Sequence, residues 1–126
     1  MSMKTPLKRV RRLGSAKEGA DHFWKQRMTA VSNTVLAVGL VWLVAKVAGS
    51  GYAEAKALVA NPLVALMLLL LVLSATVHMR LGMQVIIEDY VSSEGRKIAL
   101  LMLNTFFAIL IALACVFAVL KISFGT

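Results

Sequence analysis

In "HMRLGMQVIIEDY", His78 to Tyr90, an imidazole, a guanidinium, two carboxylates and a phenol follow the uncharged run Leu63 to Val77. An imidazole in such surroundings can ligate a metal or haem iron, or simply hydrogen-bond to a neighbouring helix. A carboxylate beside a phenol supplies the groups that orient and protonate a quinone carbonyl. Aspartate and tyrosine are equally ordinary residues of a membrane boundary. Helical geometry sorts these groups. At about 100° per residue, Ser74, His78 and Gly82 share one face, and Asp89 returns to within about 20° of His78. The helical rise separates His78 from Asp89 by about 16 Å, so they form one stripe at two depths. Arg80 lies about 200° away and suits snorkelling to headgroups, or pairing with an acidic group. Gly82 removes a side chain where a flat macrocycle would need clearance. A lone histidine fills one axial position, so a second ligand must come from another chain. Glu88 reads as a solvated or interfacial carboxylate.

A second cluster, "DHFWKQRMTA" (Asp21 to Ala30), precedes the first long apolar run. Trp24 suits an interfacial anchor. Arg27 is expected at the first turn of a helix, at headgroup depth on the same side as Asp89. There it meets lipid phosphate or the acidic edge of a bound cofactor. His22 is a candidate for the same role. Cys115, the one cysteine, sits inside an apolar run and forms no internal disulfide.

The elements that position these groups must be membrane helices. The chain has 126 residues, 60% of them hydrophobic, and a mean hydropathy of +0.81. A soluble chain is roughly 45–50% apolar. The net charge of +8 invites comparison with nucleic-acid binders, but its placement argues against that partner. Lys4, Lys8, Arg9, Arg11, Arg12, Lys17, Lys25 and Arg27 all precede position 28. A basic tail before apolar spans is a topology signal. The basic region is too long for the start of a cleaved signal peptide, so the N-terminus is expected to be retained.

Three stretches are long enough to span a bilayer, near 28–48, 63–87 and 98–120. All must be helical, because lipid offers backbone groups no partners. The expected fold class is therefore an all-α membrane protein: a basic arm over 1–27, a membrane domain over 28–120 and a short tail over 121–126. Arg96 and Lys97 add positive charge to the link after the second span, whereas Glu54 and Lys56 nearly cancel in the first link. The arm and second link are thus expected in the cytoplasm, and the C-terminus in the periplasm. Three helices make a thin bundle, which favours a partner membrane subunit. The spans share no internal repeat, which disfavours an inverted-repeat transporter.

The pattern H-x-x-x-G-x-x-x-x-x-x-D-Y-V, here His78, Gly82, Asp89, Tyr90 and Val91, resembles the second-helix signature of the succinate dehydrogenase hydrophobic membrane anchor family. "HFWKQRMTA" is similar to that family's W-x-x-Q-R-x-T-A entry to its first helix, matching it in Gln26, Arg27, Thr29 and Ala30, with Phe23 at the tryptophan position and Trp24 one residue on. The likeness covers roughly residues 20 to 121. It implies that His78 is an axial ligand of haem b, shared with a cytochrome b-type membrane subunit. It implies that Tyr90 hydrogen-bonds a ubiquinone carbonyl, with Asp89 in the surroundings of that site. Arg27 then lies near the haem propionates, and His22 in the same vicinity. An iron–sulfur subunit and a flavoprotein subunit would complete a bacterial inner-membrane complex, passing electrons from succinate to quinone in the respiratory chain and tricarboxylic acid cycle. Two positions depart from the pattern: Glu88 stands where many members have threonine, and Arg80 where some have an aromatic residue. The competing reading is a small transporter or accessory membrane protein without haem.

Overall fold

The computed structural model describes residues 18–125 and contains four helices: α1 (Glu18–Val47), α2 (Tyr52–Ala60), α3 (Pro62–Tyr90) and α4 (Glu94–Ser123). Three of them, α1, α3 and α4, are long and apolar enough to cross a membrane. The basic residues from Lys4 to Lys17 lie outside the described residues.

Local chemistry sets the breaks between helices. Gly49 takes φ +81 just beyond the end of α1. That left-handed geometry is cheap for glycine and ends helices commonly. Asn61 starts α3 by accepting a hydrogen bond from the Leu63 backbone N at 3.0 Å. Pro62 follows at the first turn, where its missing N–H costs nothing. α3 ends at Tyr90, and Val91 turns to extended geometry with its N–H on the Ile87 carbonyl.

α3 is the middle element, packed against α1 on one side and α4 on the other. α1 runs antiparallel to α3. Gly39 backs directly onto the Met67 sulfur, while near the other end Thr29 meets His78. The short α2 lies against α3 and α4, and Lys56 Nζ donates to the Gly125 carbonyl at 3.4 Å.

Such a single layer encloses almost nothing. Only Leu43, Val64, Ala65, Leu81, Ile87 and Ala108 are buried among the described residues. Large apolar side chains such as Val38, Leu63, Leu110 and Phe117 stay exposed along every long helix. An apolar surface on this scale requires lipid or a partner to cover it.

The three expected spans are present, and each helix outruns its apolar stretch. α1 begins at Glu18 rather than near 28, so ten residues of the expected arm are helical. An exposed ion pair between Asp21 and Lys25, 2.6 Å apart, bridges one turn there. α3 continues through Glu88, Asp89 and Tyr90, and α4 starts at Glu94 and carries Lys121 to Ser123 of the expected tail. α2 has no counterpart in the sequence expectations. Hydropathy marks the residues that prefer lipid, whereas backbone hydrogen bonding continues into polar turns.

Candidate functional site

His78 sits in the middle of α3, twelve residues before Tyr90 and about 18 Å from it along the axis. It is half-buried and faces α1. Its Nδ1 lies 3.1 Å from Thr29 Oγ1. One turn away, Ser74 Oγ donates to the Thr29 carbonyl at 3.3 Å. Nε2 has no hydrogen-bond partner among the described residues and is not one of the enclosed unpaired atoms. One nitrogen of the ring is tied down and the other is open to an incoming group. Among the described residues no three His, Cys, Asp or Glu side chains converge. Among the described residues His78 is a lone donor, so this chain offers one ligand to a metal held there.

Gly82 is on the same face, as its spacing implies. A Cβ there would meet Gln26 Nε2 at 3.5 Å, an ordinary contact. The space beside Gly82 therefore borders α1, and α1 alone does not demand glycine at that position.

Arg80 points the other way, toward α4. Its Nε donates to Thr105 Oγ1 at 3.3 Å, and Asn104 Nδ2 donates to the Arg80 carbonyl at 2.9 Å. It lines a groove of about 340 Å³ with Leu73, Thr76, Thr105 and Ala108. The expected snorkelling to headgroups gives way to a polar contact between helices. That contact lies ten residues before Tyr90, too far for the end of α3 to serve as its anchor.

Asp89 and Tyr90 are the last two residues of α3, and both are exposed. Asp89 has no hydrogen bond or ion pair among the described residues. Tyr90 is 84% exposed. It borders an apolar groove of about 510 Å³ between α3 and α4, lined by Met83, Ile86, Ile87, Leu100, Leu103 and Phe107. About 120° of helical rotation separates it from His78, so the two face different neighbours. Glu88 accepts from Gln84 Nε2 at 2.9 Å, one turn back on the same helix.

Arg27 is not level with Asp89. Gln26 lies opposite Gly82, which puts Arg27 level with about Leu81 in the antiparallel pair. That is nine residues, or about 14 Å, inside the level of Tyr90. The physical reason is the early start of α1, which adds about two and a half turns before Arg27. Its guanidinium stacks on Phe23, 5.0 Å from the ring centroid. Phe23 in turn meets Trp24 edge-on at 5.9 Å. Arg27 shares a shallow pocket of about 390 Å³ with Trp24, Met28, Val31 and Ser32, on a face of α1 away from His78. In depth it is within about one turn of His78.

His22 lies one turn before Gln26, level with about Ile86, and so nearer to Tyr90 than to His78. Its Nε2 is enclosed without a hydrogen bond, as are Gln26 Oε1 and Asn33 Oδ1. With Thr29 these residues form a polar stripe at spacings of four, three and four along α1. Sequence reasoning includes Gln26 and Thr29 only as letters of the first-helix pattern, with no role attached, and passes over Asn33. A signal for them exists: polar groups on one face of a membrane helix are costly and mark contacts or function.

Comparison with known proteins identifies the family. Residues 1–116 match the model of the succinate dehydrogenase/fumarate reductase transmembrane subunit family. A succinate dehydrogenase hydrophobic membrane anchor subunit of Paracoccus denitrificans is 32% identical over 121 residues, covering 96% of this chain and 93% of that protein. Subunits of the same description from Rickettsia bellii and Rickettsia conorii are each 29% identical over 119 residues. They cover 92% and 91% of this chain, and 93% and 92% of the relatives. No solved structure matches the chain. The full-length match and the three apolar helices together establish that the chain belongs to the succinate dehydrogenase/fumarate reductase transmembrane subunit family.

Proposed function

We propose that this chain anchors a succinate:quinone oxidoreductase in the bacterial inner membrane, gives one axial ligand to haem b and forms part of the ubiquinone-reduction site. The observation that carries this reading is His78. It stands in mid-helix with Nδ1 engaged and Nε2 unpaired and accessible, which suits a donor to a haem iron. The lone-donor geometry leaves the second ligand position to a partner, which in this reading is the cytochrome b-type membrane subunit. When bound, haem b supplies a one-electron centre within the membrane.

The remaining residues take roles that their positions allow. Arg27 takes the haem-propionate role that the resemblance implies: its guanidinium, stacked on Phe23, is within about one turn of His78 in depth but on the other face of α1, so it would meet a propionate only where that group reaches past α1. Tyr90 offers a phenol O–H to a quinone carbonyl at the helix end, above an apolar groove that suits a ring or an isoprenoid tail. Asp89 stands beside it, where it can orient water or meet a cation of a soluble subunit. His22 belongs with this end by depth. The iron–sulfur and flavoprotein subunits then dock on the cytoplasmic side and oxidise succinate.

A tag on this chain should recover, from mildly solubilised membranes, a complex that oxidises succinate and shows a b-type haem spectrum. Recovery of the chain with neither property would contradict the reading. The orientation has its own test. A reporter fused after Thr126 should read as periplasmic, because the basic arm and the Arg96–Lys97 link hold their side of the bundle in the cytoplasm. A cytoplasmic reading would reverse the topology and move Tyr90 away from the soluble subunits.

A further inference from the structure

We propose that Thr29 is the positioning residue of the haem site, holding His78 as the Nδ1–H tautomer with the Nε2 lone pair directed to the iron; this rests on the haem reading above. A threonine hydroxyl has one proton to give and lone pairs to accept with. Thr29 Oγ1 lies 2.7 Å from the Lys25 carbonyl and 3.1 Å from the Gln26 carbonyl. Two oxygens at 2.7 Å without a proton between them repel each other. The hydroxyl proton therefore points back along α1, the usual bond of a threonine within a helix. The third contact, 3.1 Å to His78 Nδ1, is then left for a lone pair of the hydroxyl. The imidazole must bring the proton. In the neutral ring, a proton on Nδ1 leaves Nε2 as the bare donor.

The contact is held from both sides. Ser74 Oγ donates to the Thr29 carbonyl, so two residues one turn apart on α3 grip the hydroxyl and the carbonyl of the same α1 residue. That fixes the ring's azimuth as well as its tautomer. A ligand histidine whose second N–H meets an acceptor is a stronger donor to its metal and is held in orientation. α1 thus acts on the iron through His78, without touching it.

The test is a graded series in the assembled complex: Thr29→Ser, Thr29→Cys and Thr29→Val. The serine keeps the acceptor oxygen, the thiol weakens it, and valine removes it at nearly constant volume. Readouts are the haem midpoint potential, the electron paramagnetic resonance signal of the oxidised haem, and haem transfer to apomyoglobin. Serine should match the wild type. Valine should move the potential positive, because a weaker donor favours ferric iron less, and should loosen haem by about 10–100-fold. Cysteine should fall between them. Should the valine complex fail to accumulate, the comparison of cysteine with serine carries the test. Equal potentials and haem retention across the assembled variants would overturn the role of Thr29, while leaving His78 as a ligand intact. A haem spectrum unchanged by His78→Ala would instead overturn the haem reading itself.

Discussion

Tyr90→Phe should lower quinone reduction by the assembled complex, while succinate oxidation through a dye that accepts electrons before the quinone should stay near wild type. The substitution removes one hydroxyl and keeps the ring. Tyr90 is 84% exposed on the last residue of α3, with no hydrogen bond among the described residues. No structural partner is lost, so assembly and haem content survive. What changes is the donor available to a quinone carbonyl. A neutral hydrogen bond contributes about 0.5–1.5 kcal/mol, which corresponds to a roughly two- to tenfold loss of rate. The loss is larger where the bond tightens as negative charge develops on the quinone oxygen. Asp89 beside it has no competing partner among the described residues to restrain it. If the assembled variant reduced quinone at the wild-type rate, Tyr90 would be an interfacial anchor only, and the pocket would belong to the partner subunits.

Much of this architecture is legible in the sequence. The apolar runs near 28–48, 63–87 and 98–120 each form one long helix. The opposed faces of His78 and Arg80 follow from two residues of helical rotation, and the structure turns one to α1 and the other to α4. Tyr90 stands at a helix end because the apolar stretch stops just before it and "VSS" breaks the helix. These are local properties, fixed by period and composition.

What the sequence withholds depends on how helices meet. A hydropathy edge at Met28 is not a helix start, and that difference misplaces Arg27 relative to Asp89. The register of α1 on α3 is set by distant contacts, Gly39 on Met67 and Gln26 against Gly82, and neither residue of a pair announces the other. The role of Thr29 is hidden for the same reason, although the residue itself stands in the first-helix pattern. Alone it is one polar residue among several near a helix entry; it gains meaning only when α3 brings His78 to its hydroxyl. Gly82 shows the converse, since its spacing from His78 is plain in the sequence but its neighbour, a glutamine of α1, is invisible until the helices are paired.

His78 is proposed to supply a nitrogen to a haem shared with a partner, and replacing the imidazole tests that role. In the His78→Ala complex no other His, Cys, Asp or Glu cluster exists among the described residues to take over. His22, the only other histidine of the chain, lies about 12 Å away in depth. The measurement is the optical and electron paramagnetic resonance spectrum of the purified complex, normalised to its flavin. His78→Ala should abolish the six-coordinate low-spin b-type signal, leaving either no haem or a five-coordinate, high-spin species held by the partner ligand. A low-spin spectrum of wild-type shape and intensity in that variant would show that His78 is not a haem ligand.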